Sequence, residues 1–283
     1  MYRITFVLGG EKAYRDKAKR ILLAAMTLVD KTYIEENVDA PDFRLLRYKD
    51  ECDGEDNWLD ASALVALGEG DCEDICCYVA GWLQAKRGIN AWPQLVEKNG
   101  HTHVIVELPN GKQFDPTLAI GRVESATHEC TGLGKDAIEE KITFVTDLFR
   151  IEDTFAGVEA YSQDTSHKSL RLMLHALLLI DIDWLRRHPE TPKLYESGVR
   201  YEYEPPGRED WQDWPTTLRR KEGDCEDLAN LRASELIMQG IPARPTFIWR
   251  MRPSGANLYH IQVTHPDGSV EDPSRRLGMG AAK

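Results

Sequence analysis

One pentapeptide occurs twice in this chain, as Gly70-Asp71-Cys72-Glu73-Asp74 and as Gly223-Asp224-Cys225-Glu226-Asp227. It reads as a helix start: the glycine permits a sharp turn, the aspartate can cap orphan backbone N–H groups, and an apolar segment follows. That segment carries Ile75, Val79, Trp82 and Leu83 in the first copy and Leu228, Leu231 and Leu236 in the second. Each cysteine is therefore expected in the first turn of a helix, at the positive end of its dipole. With an imidazole nearby, such a position lowers a thiol pKa from about 8.5 to between roughly 3.5 and 7.5.

The repeat is longer than the pentapeptide. Arg200 to Asp227 aligns with Arg47 to Asp74 without a gap at an offset of 153, matching Tyr201 with Tyr48, Gly207 with Gly54, Trp211 with Trp58 and Asp213 with Asp60. Twelve of these 28 positions are identical, where unrelated sequences would share about two. The halves are duplicates, and the expected organisation is a first domain over 1–135, a connection over 136–165 and a second domain over 166–283. In each half the cysteine helix precedes segments with strand character, so the fold class is α+β, a cysteine-bearing helix packed on an antiparallel sheet. Apolar periodicity also predicts helices from Lys12 to about Glu36 and from Ser169 to about Arg187, with a short strand over residues 2–8.

Beyond the helix the repeat supplies the imidazole. His103 precedes Asp115 by twelve residues and His260 precedes Asp272 by twelve, each histidine opening a strand and each aspartate followed by proline. Cysteine at a helix start, histidine at a strand start and aspartate at the end of the next strand are the parts of a nucleophile, base and orienter triad. The candidate triads are Cys72/His103/Asp115 and Cys225/His260/Asp272, each closed within its own half with the thiol in hydrogen-bond reach of its histidine. Tyr48, Trp58, Tyr201 and Trp211 recur at fixed distances before the cysteines and carry the donors an oxyanion would need, although a repeated tryptophan more often packs a core. The acidic neighbours Glu73, Asp74, Glu226 and Asp227 oppose thiolate formation; they suit either a cationic substrate or, more simply, a helix N-terminus.

These residues resemble the transglutaminase-like superfamily of the papain-like fold: Gly-Asp-Cys-x-Asp at a helix start, then a histidine opening a strand, then Asp-Pro. The resemblance covers roughly 47–120 and 200–278. The run Ser197-Gly198-Val199-Arg200-Tyr201 and Pro205-Pro206-Gly207-Arg208-Glu209 is also similar to transglutaminase-like proteins encoded by tailed phages. It implies two tandem papain-like domains and cysteine acyl transfer on amide bonds, of the transglutaminase, peptidase or amidase type. The alternative is a non-catalytic structural or binding protein, such as a phage virion component, that retains the fold. Tandem duplication departs from the usual single-domain plan.

Composition limits the partners. With 47 acidic against 35 basic side chains the net charge is −12, which argues against a nucleic-acid surface and favours protein or peptide substrates that are basic or amine-bearing, or virion proteins. No run of about 18 uncharged apolar residues is present and the first residues are too short an apolar run for a signal peptide, so no membrane partner is expected. The expected location is the cytoplasm, a host cytoplasm or the virion in the phage case. Cys52, Cys76, Cys77 and Cys130 lie only in the first half, against a disulfide framework. Cys72, Cys76, His101 and His103 have the chemistry of zinc ligands, but Ala229 and Leu258 stand where Cys76 and His101 should recur, so neither metal nor cofactor is expected. His128, His167, His175, His188 and His265 have no repeating partners.

Overall fold

A computed structural model describes residues 2–50, 56–98, 101–122, 139–146, 163–204, 209–251 and 257–280. Cys52, Cys130, His128 and most of the stretch 117–165 lie outside them. The first half runs β1 (Tyr2–Leu8), α1 (Lys12–Glu36), β2 (Arg47–Tyr48), β3 (Asp56–Leu59), α2 (Ala61–Leu67), β4 (Glu69–Gly70), α3 (Cys72–Arg87), β5 (Trp92–Lys98), β6 (His101–Glu107), β7 (Gln113–Phe114) and β8 (Gly121–Arg122). The second runs β9 (Glu140–Thr146), α4 (Gln163–Arg187), β10 (Arg200–Tyr201), β11 (Asp210–Gln212), α5 (Trp214–Arg220), β12 (Glu222–Gly223), α6 (Cys225–Met238), β13 (Arg244–Met251), β14 (Asn257–Thr264), β15 (Val270–Glu271) and α7 (Pro273–Arg276). The architecture is α+β, with helices packed on several small sheets.

Local chemistry accounts for the two cysteine helices. Each opens on a capping box, Asp71 with Asp74 and Asp224 with Asp227, and α3 closes on Lys86, Arg87 and then Gly88 at φ +63°, a left-handed residue that costs glycine little. Behind each helix stands a three-stranded antiparallel meander, β5-β6-β7 or β13-β14-β15. α3 lies close against α1 because Gly81 faces it: a Cβ there would come within 2.9 Å of the Lys31 backbone nitrogen.

A four-stranded sheet joins the halves, in the order β11-β1-β9-β3. β1 and β9 run antiparallel at its centre, with Thr5 opposite Thr143 and their hydroxyls 3.1 Å apart. β1 pairs in parallel with β11 of the second half, and β9 pairs in parallel with β3 of the first. The two strands that precede the long helices are thus exchanged between the halves about a local two-fold between Thr5 and Thr143. They also share a sequence, Ile4-Thr5-Phe6-Val7 and Ile142-Thr143-Phe144-Val145. Residues 140–146, within the stretch assigned above to a connection, form a buried central strand.

Helices α1 and α4 occupy equivalent places. At an offset of 151 they share Lys17 with Lys168, Arg20 with Arg171, Leu23 with Leu174 and Asp30 with Asp181. The two aspartates do the same work: Asp30 accepts from the N–H of Ala61 at 2.7 Å and Asp181 from that of Trp214 at 3.1 Å, the first residues of α2 and α5. The short helices α2 and α5 are themselves capped by Asp60 and Asp213. Most of the apolar core is one continuous cluster that includes α1, α3, α4 and the central sheet, with a smaller group around Trp214, Leu228 and Leu231.

Candidate functional site

Each histidine meets its own aspartate. His103 Nε2 lies 2.8 Å from Asp115 Oδ2 and His260 Nε2 lies 3.0 Å from Asp272 Oδ2. The meanders make this possible, because the histidine strand and the short strand leading to the aspartate are hydrogen-bonded neighbours in each. With Nε2 engaged, Nδ1 is the nitrogen left for a thiol. Both carboxylates are held firmly. Burial pushes Asp115 up, but hydrogen bonds from Thr117 and His103 outweigh it and hold the group below its ordinary value; the Thr117 hydroxyl donates at 2.6 Å. Asp272 is likewise depressed, by His260, the Arg275 N–H and Gln262, against the pull of burial. Sequence reasoning missed Thr117, Gln262 and Arg275, since the repeat does not conserve them: Ile105 stands where Gln262 would recur, as the second residue after its histidine.

The cysteines stand at the first helical positions of α3 and α6, as expected. Each lies against the peptide that follows its histidine: the backbone N–H of Val104 acts on Cys72 and that of Ile261 on Cys225, each favouring the thiolate. Their thiol hydrogen bonds go elsewhere. Cys72 Sγ donates to Glu73 Oε2 at 2.8 Å and Cys225 Sγ to Glu226 Oε2 at 3.4 Å, and among the described residues neither thiol hydrogen-bonds its histidine ring. Burial, then the charges of Glu73 and Asp71, push the Cys72 thiol well above its ordinary value. Burial and Asp224 do the same to Cys225. The helix-dipole and imidazole effects expected of this position are overridden, and both thiols rest protonated.

The remaining acids divide by role. Asp74, fully buried, accepts from the N–H of Leu59 at 2.7 Å and of Asp71 at 3.1 Å. Asp227 accepts from the N–H of Gln212 at 2.7 Å and of Asp224 at 3.2 Å. These are structural carboxylates that tie the helix start to the exchanged-strand sheet. Glu73 and Glu226 face the thiols instead.

Of the four oxyanion candidates the two tryptophans are withdrawn. Trp58 donates its indole N–H to Asp56 at 2.9 Å and Trp211 to Glu209 at 3.4 Å, and both rings are buried, Trp211 edge-on to Phe6 with centroids 5.5 Å apart. Packing wins here because β11 is buried along its whole length and β3 is buried over Trp58 and Leu59. Tyr48 and Tyr201 remain beside the thiols: Cys72 and Cys225 are among the influences, after burial, that raise their phenol pKa values. The Tyr48 hydroxyl donates to Asp50 at 2.6 Å.

Cys76 and Cys77 are buried packing residues, donating to the carbonyls of Val104 and Leu23. The four described cysteines are free thiols. No described helix is long and apolar enough to cross a membrane. No family model, curated protein or solved structure matches this chain.

Proposed function

We propose that this chain is a tandem transglutaminase-like protein of papain-like fold that carries out cysteine acyl transfer on amide bonds. The observation that carries this reading is the paired geometry: in both halves a helix-start cysteine lies against the peptide following a histidine whose far nitrogen is bound by a depressed aspartate. In the reaction the thiol leaves its glutamate and passes its proton to Nδ1, while sulfur adds to the amide carbon. The oxyanion is met by the cysteine's own N–H, with Tyr201 as a second donor in the second half; in the first half Tyr48 must first release Asp50. Collapse breaks the C–N bond, the imidazolium protonates the departing amine, and a thioester remains. Water then gives hydrolysis and a second amine gives transamidation; an acidic rim favours a cationic amine or a basic peptide. Incubation with a fluorogenic acyl amide, followed by mass mapping of the trapped thioester, tests this. Labelling at Cys72 or Cys225 that His103→Ala or His260→Ala abolishes is the expected result; no thioester on either cysteine would overturn it.

A second reading has its own observation. Both thiols rest protonated against carboxylates, which suits a non-catalytic structural or binding protein, such as a virion component, in which the triads are idle. Turnover separates the two: a catalytic site releases amine from the acyl amide in a way that His103→Ala and His260→Ala abolish, and an idle one releases none.

A further inference from the structure

The acids around the two cysteines recur, but among the described residues only the first group has a buried lysine beside it. In the first half Lys19 of α1 is largely buried, bonded to Glu140 and within the field of Asp56 and Glu73. At the offset that superposes Asp30 on Asp181, the residue in the place of Lys19 is Leu170. The second half lacks that lysine and keeps the acids: Asp224 and Glu209 both lie close enough to Glu226 to act on it. Arg220 reaches Asp210 at 3.8 Å and is otherwise engaged with Glu139.

Three donor atoms converge in that cluster. A carboxylate oxygen of Asp224, Sγ of Cys225 and a carboxylate oxygen of Glu226 all lie within 4.8 Å of one another. Glu226 is only 2% exposed, yet among the described residues its Oε1 has no hydrogen-bond donor, and neither does Asp224 Oδ1. Asp224 pushes the buried Glu226 up, and the two carboxyl groups face each other at hydrogen-bond range. Such a pair, one member buried and the other half-buried, needs something positive between its oxygens, a shared proton or a cation. In both halves the capping aspartate accepts the N–H of the glutamate two residues on; the first half differs in that Glu73 is half-buried where Glu226 is buried, and in that Glu73 lies in the field of Lys19.

We propose that Asp224, Cys225 and Glu226 form a binding site for a thiol-seeking divalent cation of the Zn²⁺ class, and that its occupancy blocks Cys225 while leaving Cys72 free. One thiolate with two carboxylates is a donor set for Zn²⁺ rather than for Ca²⁺ or Mg²⁺, which take oxygen alone. A tetrahedral Zn²⁺ bonded at about 2.0 Å to oxygen and 2.3 Å to sulfur holds its donors about 3.5 Å apart, so the three side chains close in by about an ångström, with water as fourth ligand. The positive end of the α6 dipole opposes a cation, but as about half a charge against three formal negative ligands. Binding releases the thiol proton, and any proton held between the carboxyls, to solvent. The site stands whether or not the acyl-transfer reading does.

Cadmium is the probe, because a Cd–thiolate bond gives its own ultraviolet charge-transfer band. Titrating the whole protein with Cd²⁺ is expected to develop that band to one equivalent, to lose it in Cys225→Ser and to keep it in Cys72→Ser. Glu226→Gln is expected to weaken binding at least about tenfold. Leu170→Lys, which restores the counter-charge of the first half without touching a ligand, should weaken it as well. Circular dichroism of each variant establishes that it is folded. Absence of the band, its survival in Cys225→Ser, or unchanged affinity in folded Glu226→Gln and Leu170→Lys would overturn the proposal and leave a shared proton between the carboxyls.

Discussion

Burial holds both thiols protonated; at Cys72 the charge of the adjacent Glu73 adds to it, whereas at Cys225 the added charge is that of Asp224 and the hydrogen bond of Glu226 works the other way. A neighbouring carboxylate disfavours a second negative charge, so removing it stabilises the thiolate and lowers the thiol pKa. Glu73→Gln is therefore expected to raise the alkylation rate of Cys72 at about pH 7 by roughly tenfold, since one pKa unit is a factor of ten in thiolate well below the pKa. A rate unchanged in Glu73→Gln would mean that burial alone holds the proton. The larger part of the candidate site was legible in the sequence. Cysteine, histidine and aspartate recur at matched spacing, and spacing survives duplication because it is fixed by helix and strand lengths. What was not legible is what each group is bonded to. Thr117 and Gln262 serve the same aspartate role from different elements, and no pattern in one copy predicts the other. The tryptophans recur as faithfully as the cysteines, yet their donors are spent on Asp56 and Glu209; recurrence marks importance without distinguishing chemistry from packing.

At the scale of elements, the capping carboxylates couple helix to sheet. Asp74 satisfies two backbone N–H groups at once, one on β3 and one at the start of α3. Asp74→Ala leaves both buried without a partner, and at about 1–3 kcal/mol for each unsatisfied group the expected cost is about 2–5 kcal/mol, read as a fall in the urea midpoint. Gly81→Ala is expected to cost about 1–3 kcal/mol in the same assay, because its Cβ would meet α1 backbone, which cannot swing aside as a side chain can. The long elements were readable: α1, α3 and the end of α4 fall where apolar periodicity and stop signals put them. The seven-residue helices α2 and α5 were not, being too short for periodicity to develop. Strand β9 was legible only as a helix or strand somewhere over 135–151, and its place in the duplication escaped for another reason. Its tetrapeptide Ile-Thr-Phe-Val repeats that of β1 at an offset of 138 rather than 153, so an alignment anchored on the cysteines passes it by.

Across the whole molecule, buried acids set how stability depends on pH. Burial pushes Asp60 and Asp213 up to about 6, Asp56, with Glu73 beside it, to about 7, and Glu204 to about 8. A raised carboxyl keeps its proton in the folded state, so its stabilisation is complete below the unfolded value near 4 and is lost as pH rises through the folded value. Asp115, Asp272, Glu139 and Glu271 are depressed and work oppositely, their contribution failing as pH drops below about 4. The urea midpoint is thus expected to be higher near pH 5 than near pH 8, with Asp60→Asn flattening the difference by about 1.4 kcal/mol, the one pH unit between 5 and the folded value of about 6. The exchanged strands make a sharper demand on the whole. Phe6 of β1 is paired with Trp211 of β11, and Phe144 of β9 with Trp58 of β3, while the N–H of Gly9, just past β1, caps onto Asp213 at 2.9 Å. Damage near the N-terminus should therefore be felt at the second cysteine and not the first. Phe6→Leu, milder than the alanine change that would cost about 3–5 kcal/mol, is expected to speed amide hydrogen exchange in β11, α5 and the first turn of α6, where Cys225 sits. Phe144→Leu should do so in β3, α2 and the first turn of α3, where Cys72 sits. Exchange that rises instead in the half of the sequence carrying the mutation, β3 for Phe6 and β11 for Phe144, would mean that each strand pairs within its own half and that the crossed sheet does not form.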